Sequence, residues 1–356
     1  MRDILGAEKA AEIANLPEED INPFKDYPMD ELYELIYNFY KEKGHNIEPE
    51  MYGISTDLNT YTTRTTLGRP EDTSVEIDGV KVKGMKHSHY TEDALESAQI
   101  DIDSSWNGDS AGITYGDGEV GVFQTDYYTA ATFSQLLYLE AVSAYEEAGE
   151  VIEDVTLSDM PLRNQFLDSY EHFCRPDWVA SEGAIGGVVI ANDGDDWKII
   201  LGRRSTEPRV NPGLISIAPN GGMSCDNLTE GGFMQSLERQ FSEEFFQGKY
   251  EMDFFNDYVY PYQVSAGWNL RDGTFALGYM LLVKEQEGYK KLVDRPTHNF
   301  EFEELIEIDV SEPKEIANTV NISKMSPSTI PVVYRALVAF GSLEETPELE
   351  YEVLTG

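Results

Sequence analysis

The second half of the chain alternates short apolar runs with turn residues. The runs AIGGVVIA and WKIILGRRS flank an Asn-, Asp- and Gly-rich turn at residues 192–196, which predicts a hairpin of buried strands. Four later runs predict further strands: LISIAP, YVYPYQVSAGW, FALGYMLLVKE and NFEFEELIEIDV.

Two helices are predicted among these strands. An apolar residue recurs at four-residue steps from Phe233 to Phe245, which predicts an amphipathic helix that Thr229 would cap. The run IPVVYRALVAFGSL predicts a closing helix. Strands around a central helix, with a second helix at the end, predict an α/β/α sandwich.

The first half has a different pattern, in which helices flank a region of short strands. Apolar residues at helical spacing between Asp30 and Gly44 predict one helix, and another is predicted at roughly residues 130–147. Between them the chain is rich in Thr and Gly, and Asp-Gly pairs at residues 78–79 and 117–118 predict hairpins. This half is therefore expected to be α+β, and it carries no catalytic signature.

The length and the change of pattern predict two domains. A chain of 356 residues is long enough for about two cores. The pattern changes near Phe173. We therefore predict an α+β domain of unknown role at residues 1–173 and an α/β domain at residues 174–356.

The charge of the chain predicts the kind of organism and the compartment in which the protein works. The formal net charge is −40, from 66 Asp and Glu against 26 Lys and Arg, yet 41% of the residues are hydrophobic, so disorder does not explain the charge. Self-repulsion on this scale largely disappears at about 1 M salt, where the screening length falls to about 3 Å. The sequence therefore predicts a cytoplasmic protein of a salt-accumulating organism, such as a haloarchaeon.

The composition also disfavours several partners. Nucleic acids and anionic membranes require basic patches, and no apolar run approaches 18 residues, so the chain is expected to be soluble and not exported. Cys174 and Cys225 have neither metal spacing nor the pattern of a disulfide framework. His87 and His89 lie two residues apart, but without a third ligand nearby they are better explained as surface residues than as a metal pair.

One segment carries residues that indicate chemistry. Gly221 and Gly222 precede the predicted central helix. On that helix Gln240, Glu243 and Glu244 face one way, since residues three and four apart are neighbours. Such oxygen ligands suit Mg²⁺ or Mn²⁺ and, through the metal, phosphate groups. A solvated acidic helix face explains the same carboxylates, because adjacent Glu residues recur elsewhere in the chain.

Around these residues the sequence resembles the Nudix hydrolase family. The box of that family reads G-x5-E-x7-R-E-U-x-E-E-x-G-U, where U is bulky and apolar, and its R-E-U-x-E-E end matches RQFSEE at residues 239–244. The sequence departs from the box at four places. Gln240 stands where the family has a Glu, Glu230 only approximates the upstream Glu, and Phe246 replaces a Gly. The spacing from Gly222 to Arg239 is longer than in the box, which implies a small insertion in the loop between them.

The resemblance covers roughly residues 181–343 and implies a Nudix-like α/β/α sandwich. It also implies that Glu243 and Glu244 hold Mg²⁺ or Mn²⁺ against a diphosphate. Arg239, four residues before Glu243, is then expected to orient that carboxylate.

The base of such a reaction is left open. Gln240 can position a water molecule but cannot accept its proton. Glu230, Glu304 and Asp272 are the candidates, and an exposed acid at a strand end explains Glu304 equally simply.

Candidate substrate contacts lie around this segment. The glycine pair is expected to approach phosphate. Arg203 and Arg204 leave the end of a strand, where at most one of them can meet phosphate directly, because alternate residues point to opposite faces; pairing with surface acids is the alternative. Trp268 or Tyr262 could stack on a base, although core packing explains either.

Two functions remain open at this point. The first is a Mg²⁺-dependent hydrolase of a nucleoside diphosphate linked to another moiety, which the retained Glu pair favours. The second is a catalytically degenerate Nudix-fold protein that binds a nucleotide or sugar-nucleotide in a regulatory role, which Gln240 favours. A protein with a purely structural role is a third reading. A small-molecule nucleotide diphosphate is the expected ligand, and a homodimer is left open.

Overall fold

The structure is a computed structural model. It describes residues 29–43, 62–63, 74–77, 80–83, 107–116, 119–148, 160–166, 182–205, 213–246, 252–294, 302–312, 316 and 329–341. His87, His89 and the predicted boundary at Phe173 lie outside the described residues, and the division into two domains stays a prediction.

The N-terminal half contains helices and small sheets. Its described elements are α1 (Met29–Glu42), β1 (Thr62–Thr63), β2 (Ser74–Ile77), β3 (Val80–Lys83), β4 (Asp109–Gly116), β5 (Glu119–Asp126), α2 (Tyr127–Ala148) and α3 (Pro161–Phe166). Strands β2 and β3 pair antiparallel across the first predicted Asp-Gly turn, and β4 and β5 across the second. The predicted hairpins and the α+β class are confirmed.

The C-terminal half is built on one large mixed sheet. Its described elements are β6 (Gly183–Asn192), β7 (Trp197–Arg204), β8 (Ile215–Ile217), β9 (Asn220–Gly222), α4 (Cys225–Phe246), α5 (Met252–Tyr258), β10 (Val259–Trp268), β11 (Phe275–Val283), α6 (Gln286–Val293), β12 (Phe302–Asp309) and α7 (Thr329–Phe340). The sheet order is β10-β11-β6-β7-β12, with β8 paired to β7 and β9 paired to β6. Strands β11 and β6 are parallel, and the other described pairs of this sheet are antiparallel.

Helices cover both faces of this sheet. Alternate residues of β6 enter two separate clusters of buried side chains, with Ile185 and Val189 in one and Val188 and Ile190 in the other. The first cluster contains side chains of α4, α5 and α6, and the second contains those of α7. The predicted α/β/α sandwich is therefore confirmed.

The central helix differs from its prediction at its start. Helical structure begins at Cys225, ahead of the predicted cap at Thr229, and is interrupted at Gly232, whose φ is 71° and ψ is −161°. Glycine tolerates a positive φ that other residues adopt only with strain. After this break the apolar stripe is buried as predicted, with Leu237 and Phe241 fully inside the core.

The two halves share one core. Leu35 of α1 and Leu137 of α2 belong to the same buried cluster as Phe241 of α4. Polar contacts also cross between the halves: the guanidinium group of Arg163 on α3 is fully buried and donates to the carbonyl oxygen of Leu270, which follows β10. The N-terminal half therefore packs directly on the sandwich.

Candidate functional site

The candidate site lies where α4 runs beside the short strand β9. Gln240 Nε2 donates to the carbonyl oxygen of Gly222 at 3.0 Å, and Glu244 Oε1 accepts the backbone N–H of Asn220 at 2.8 Å. Residues 240 and 244 are one helical turn apart, so both side chains reach the strand from the same face of the helix. These contacts fix the separation between the helix and the glycine pair.

Side chains of the protein itself lie against the glycine pair. A Cβ atom on Gly221 would lie 2.3 Å from Gln240 Oε1, and one on Gly222 would lie 2.1 Å from Glu182 Oε1. Both distances are too short for a real contact, so a larger residue at either position would displace the end of the Gln240 or Glu182 side chain. The predicted phosphate contact of the pair stays a prediction.

The two predicted metal ligands point to different partners. Glu244 is buried against β9, with 8% of its surface exposed. Glu243 is on the outer side of the helix, where its Oε1 accepts from Arg239 Nε at 2.6 Å and both side chains are 40% exposed. Arg239 thus makes the contact with Glu243 that the i,i+4 spacing indicates.

The donor set offers a divalent cation at most two carboxylates. Glu243 Oε1 is engaged by Arg239, Glu244 Oε1 by a backbone N–H, and Gln240 contributes an uncharged amide. Within the described parts of the chain, no three His, Cys, Asp or Glu side chains lie together as a metal-binding set. Mg²⁺ is usually held by one or two carboxylates together with substrate phosphates, and these residues offer no more than that.

The two predicted phosphate-binding arginines are neighbours on β7, and successive side chains of a strand point to opposite faces of the sheet. Arg203 Nε donates to Glu304 Oε1 at 2.6 Å across the β7–β12 pair, with both side chains substantially exposed. Pairing with a surface acid, the alternative considered for Arg203, is therefore what the structure shows. Arg204 is partly buried. It lies four residues after Ile200 on β7, so its side chain is expected on the same face of the sheet as Ile200, the face covered by α4.

Other predicted residues have structural roles. Glu304 accepts a hydrogen bond from Arg203. The carboxylate of Asp272, in the turn between β10 and β11, accepts from the backbone N–H of Thr274 and from Arg271. The side chain of Glu230 lies outside the described residues.

The two aromatic candidates for base stacking are placed differently. Trp268 is fully buried and packs edge-on against Phe275 at 4.8 Å, so it belongs to the core and is not a stacking platform. Tyr262 is 46% exposed on β10, an edge strand of the sheet.

Glu182 is a residue of the site that the sequence analysis missed. It directly precedes β6, lies against Gly222 and accepts from Ser110 Oγ at 2.9 Å. Burial of the carboxyl group raises the pKa of Glu182 to about 7, and the hydrogen bond from Ser110 opposes that rise. The one available signal was an isolated acid at the entry to the apolar run AIGGVVIA.

Comparisons with known proteins find remote structural similarity only. No protein-family model matches the chain, and no curated protein matches it. Among solved structures, NrtR of Shewanella oneidensis shares 13% identity over 49% of this chain and 76% of that chain, with a TM-score of 0.33. The NUDIX domain of the same protein, complexed with ADP ribose, shares 9% identity over 47% and 93%, with a TM-score of 0.28.

An Ap4A hydrolase from C. elegans, in a binary complex, shares 15% identity over 45% of this chain and 98% of that chain, with a TM-score of 0.27. With similarity this low, neither the activity nor the ligand of those proteins is assigned to this chain. Among the described helices, none is both long and apolar enough to cross a membrane.

Proposed function

We propose that this chain is a Nudix-like protein that binds a nucleoside diphosphate linked to another moiety, and that it acts as a binding or regulatory protein instead of an efficient hydrolase. The ligand would lie beside β9 and α4, with its diphosphate near the glycine pair. Gly222 is exposed at this place, so its backbone is open to a ligand.

The hydrogen bond from Gln240 Nε2 to the carbonyl oxygen of Gly222 carries this proposal. The family that the sequence resembles has a carboxylate here, which can hold a cation or accept a proton. An amide accepts no proton at neutral pH and offers a cation only an uncharged oxygen, but it donates and accepts hydrogen bonds. The donor to Gly222 would be lost with a carboxylate, so the local structure of this chain is matched to the amide.

A Mg²⁺- or Mn²⁺-dependent hydrolase is the second candidate. Its support is that Glu243 and Glu244 are retained and that Glu182 places another carboxyl group beside Gly222. When bound, the metal would offset the charge of the diphosphate and lower the pKa of an attacking water. Glu243 and Glu244 are the residues that would hold it, with the phosphates completing the ligand set.

Binding and turnover can be separated in one set of measurements on the full chain. We expect ADP-ribose, ADP or diadenosine tetraphosphate to bind by calorimetry in several molar KCl, with release of monophosphate no faster than in the absence of protein. High salt is chosen because it screens the net charge of −40. Mg²⁺ and Mn²⁺ are each included.

The second candidate, the metal-dependent hydrolase, is supported if monophosphate is released with either metal and the release is lost in Glu244→Gln. A matched control is Glu287→Gln, which makes the same acid-to-amide change at an exposed ion pair with Lys291 on α6. This control should leave binding and release unchanged. Failure of every nucleotide to bind contradicts both candidates.

The setting of the protein belongs to the same proposal. A cytoplasmic location in a salt-accumulating organism accounts for the acidic composition. Stability that rises more steeply with KCl than with an uncharged osmolyte would support the salt-accumulating origin, because osmolytes stabilise folded proteins in general.

A further inference from the structure

The carboxyl group of Glu182 lies where the N-terminal half meets the glycine pair. Its Oε1 accepts from Ser110 Oγ, on β4 of the N-terminal half, at 2.9 Å. The same oxygen is the atom that a Cβ on Gly222 would meet at 2.1 Å. Ser110 is 4% exposed, so the contact is made inside the protein and not at its surface.

Strand β4 also holds the other side of the glycine pair. The backbone N–H of Ala111 donates to the carbonyl oxygen of Met223 at 2.7 Å, and Met223 is buried. Gly222 is therefore placed between two contacts with the same strand. These two contacts hold β4 beside Glu182 and Gly222.

We infer that the charge on Glu182 controls how tightly the glycine pair holds an anion, which makes Glu182 a positioning residue of the ligand site. This inference rests on the proposed binding of a diphosphate beside Gly222. A carboxylate and a phosphate that share a partly buried site repel one another more strongly than they would in water. The neutral carboxyl group removes that repulsion and can donate a hydrogen bond.

The group changes its charge in the pH range where this matters. Burial raises the pKa of Glu182 to about 7, and the Ser110 hydroxyl acts against burial by favouring the charged form. These two are the causes of the shift among the described residues. Glu182 is thus neutral below about pH 7 and charged above it, so affinity for an anion should fall as the pH rises.

Gln240 and Glu182 lie on either side of Gly222. Gln240 Nε2 lies 3.0 Å from the carbonyl oxygen of Gly222, and backbone dimensions put it no more than about 9 Å from Glu182 Oε1. A diphosphate beside Gly222 would therefore meet one uncharged and one titrating group. Because Glu182 is partly buried, salt screens its charge less than it screens surface acids.

The test measures the affinity of the full chain for ADP-ribose as a function of pH. This probe is suitable because its diphosphate has no ionisation near neutrality, so any change reports on the protein. We expect the wild-type dissociation constant to rise about tenfold between about pH 6 and about pH 8. E182Q should bind with the tight value throughout, and S110A, which lacks the donor to the charged form, should move the midpoint to higher pH.

A matched control is E238Q, because partial burial on α4 also raises the pKa of Glu238. This variant should keep the wild-type pH profile. The inference is overturned if E182Q keeps that profile, if E238Q abolishes it, or if S110A leaves the midpoint in place. If E182Q does not fold, the direction of the S110A midpoint decides alone.

The outcomes separate the inference from the proposed function. Binding with the same pH dependence in wild type and E182Q overturns the inference and leaves the proposed function standing. No binding of ADP-ribose at any pH, in wild type or in any of these variants, overturns the inference, and the proposed function falls with it if ADP and diadenosine tetraphosphate also fail to bind.

Discussion

Replacing Arg163 by alanine is expected to lower the free energy of unfolding by about 3–5 kcal/mol. The guanidinium group is fully buried: Nη1 donates to the carbonyl oxygen of Leu137 at 2.6 Å and to Glu140 Oε2 at 2.7 Å, and Nη2 donates to the carbonyl oxygens of Leu270 and Arg271 at 3.0 and 2.7 Å. The substitution leaves a buried carboxylate and several buried carbonyl groups without their donor. Denaturant unfolding followed by tryptophan fluorescence measures the loss.

The exposed ion pair between Arg203 and Glu304 provides the control. Its Nε–Oε1 distance of 2.6 Å is as short as the contacts of Arg163, but the side chains are 40% and 54% exposed. Arg203→Ala should therefore cost less than about 1 kcal/mol. Similar losses in the two variants would contradict the argument, because burial would then not be what distinguishes the pairs.

The cost at Arg163 also bears on how the chain folds. The side chain joins α2 and α3 of the N-terminal half to the turn between β10 and β11 of the sandwich. If this joint is strong, both halves should lose stability together in Arg163→Ala, and the tryptophan signal from the buried Trp268 should report it. The predicted boundary near Phe173 marks a change of local pattern, and a local pattern carries no information about packing between distant segments.

Features with a local cause were predictable. The Asp-Gly turns gave the pairing of β2 with β3 and of β4 with β5, because turn geometry fixes the register of a hairpin. The four-residue spacing from Phe233 to Phe245 gave the buried stripe of α4. The break at Gly232 was missed, although a Gly pair inside a helical pattern is a signal for one.

Features that depend on distant partners were not predictable. Arg163 finds Glu140 and two carbonyl groups more than 100 residues further along the chain, and nothing in PLRNQF distinguishes a buried arginine from an exposed one. Glu182 accepts a hydrogen bond from Ser110, which lies 72 residues earlier in the chain. In both cases burial gives the group its role, and burial is a property of the assembled fold.

The glycine pair has neighbours that the sequence did not reveal. The sequence singled out Gly221 and Gly222 because glycine allows close approach of a phosphate, and that contact stays a prediction. The structure shows that the side chains of Gln240 and Glu182 lie against the two glycines. Their approach depends on the assembled fold, so a local pattern could not predict it.

Gln240→Glu is expected to increase the affinity for Mn²⁺ between about 10- and 100-fold, since the number of charged ligands tunes divalent affinity over several decades. Gln240 lies one helical turn before Glu244, and both side chains face β9. The new carboxylate would add a third hard oxygen group to Glu244 and the carbonyl oxygen of Gly222. Titration of Mn²⁺ by calorimetry or electron spin resonance measures the change.

The same substitution should reduce stability in the absence of metal. It replaces the Nε2 donor to Gly222 by a carboxylate that faces a carbonyl oxygen, which should cost about 1 kcal/mol at this partly exposed contact. Mn²⁺ should restore the loss, because a ligand that binds only the folded state stabilises it. Gln240→Met, which removes the hydrogen bond without adding charge, should lose similar stability and gain no affinity for metal.

The double variant decides whether the two positions act together. If the new carboxylate and Glu244 share the cation, Gln240→Glu combined with Glu244→Gln should return the Mn²⁺ affinity to near the wild-type value. An unchanged affinity in Gln240→Glu would mean that the face of α4 toward β9 cannot hold a cation even with both acids, and the second candidate function would then depend on Glu243 and Glu244 together with the phosphates. Gain of metal affinity together with release of monophosphate from ADP-ribose would identify Gln240 as the change that separates binding from hydrolysis.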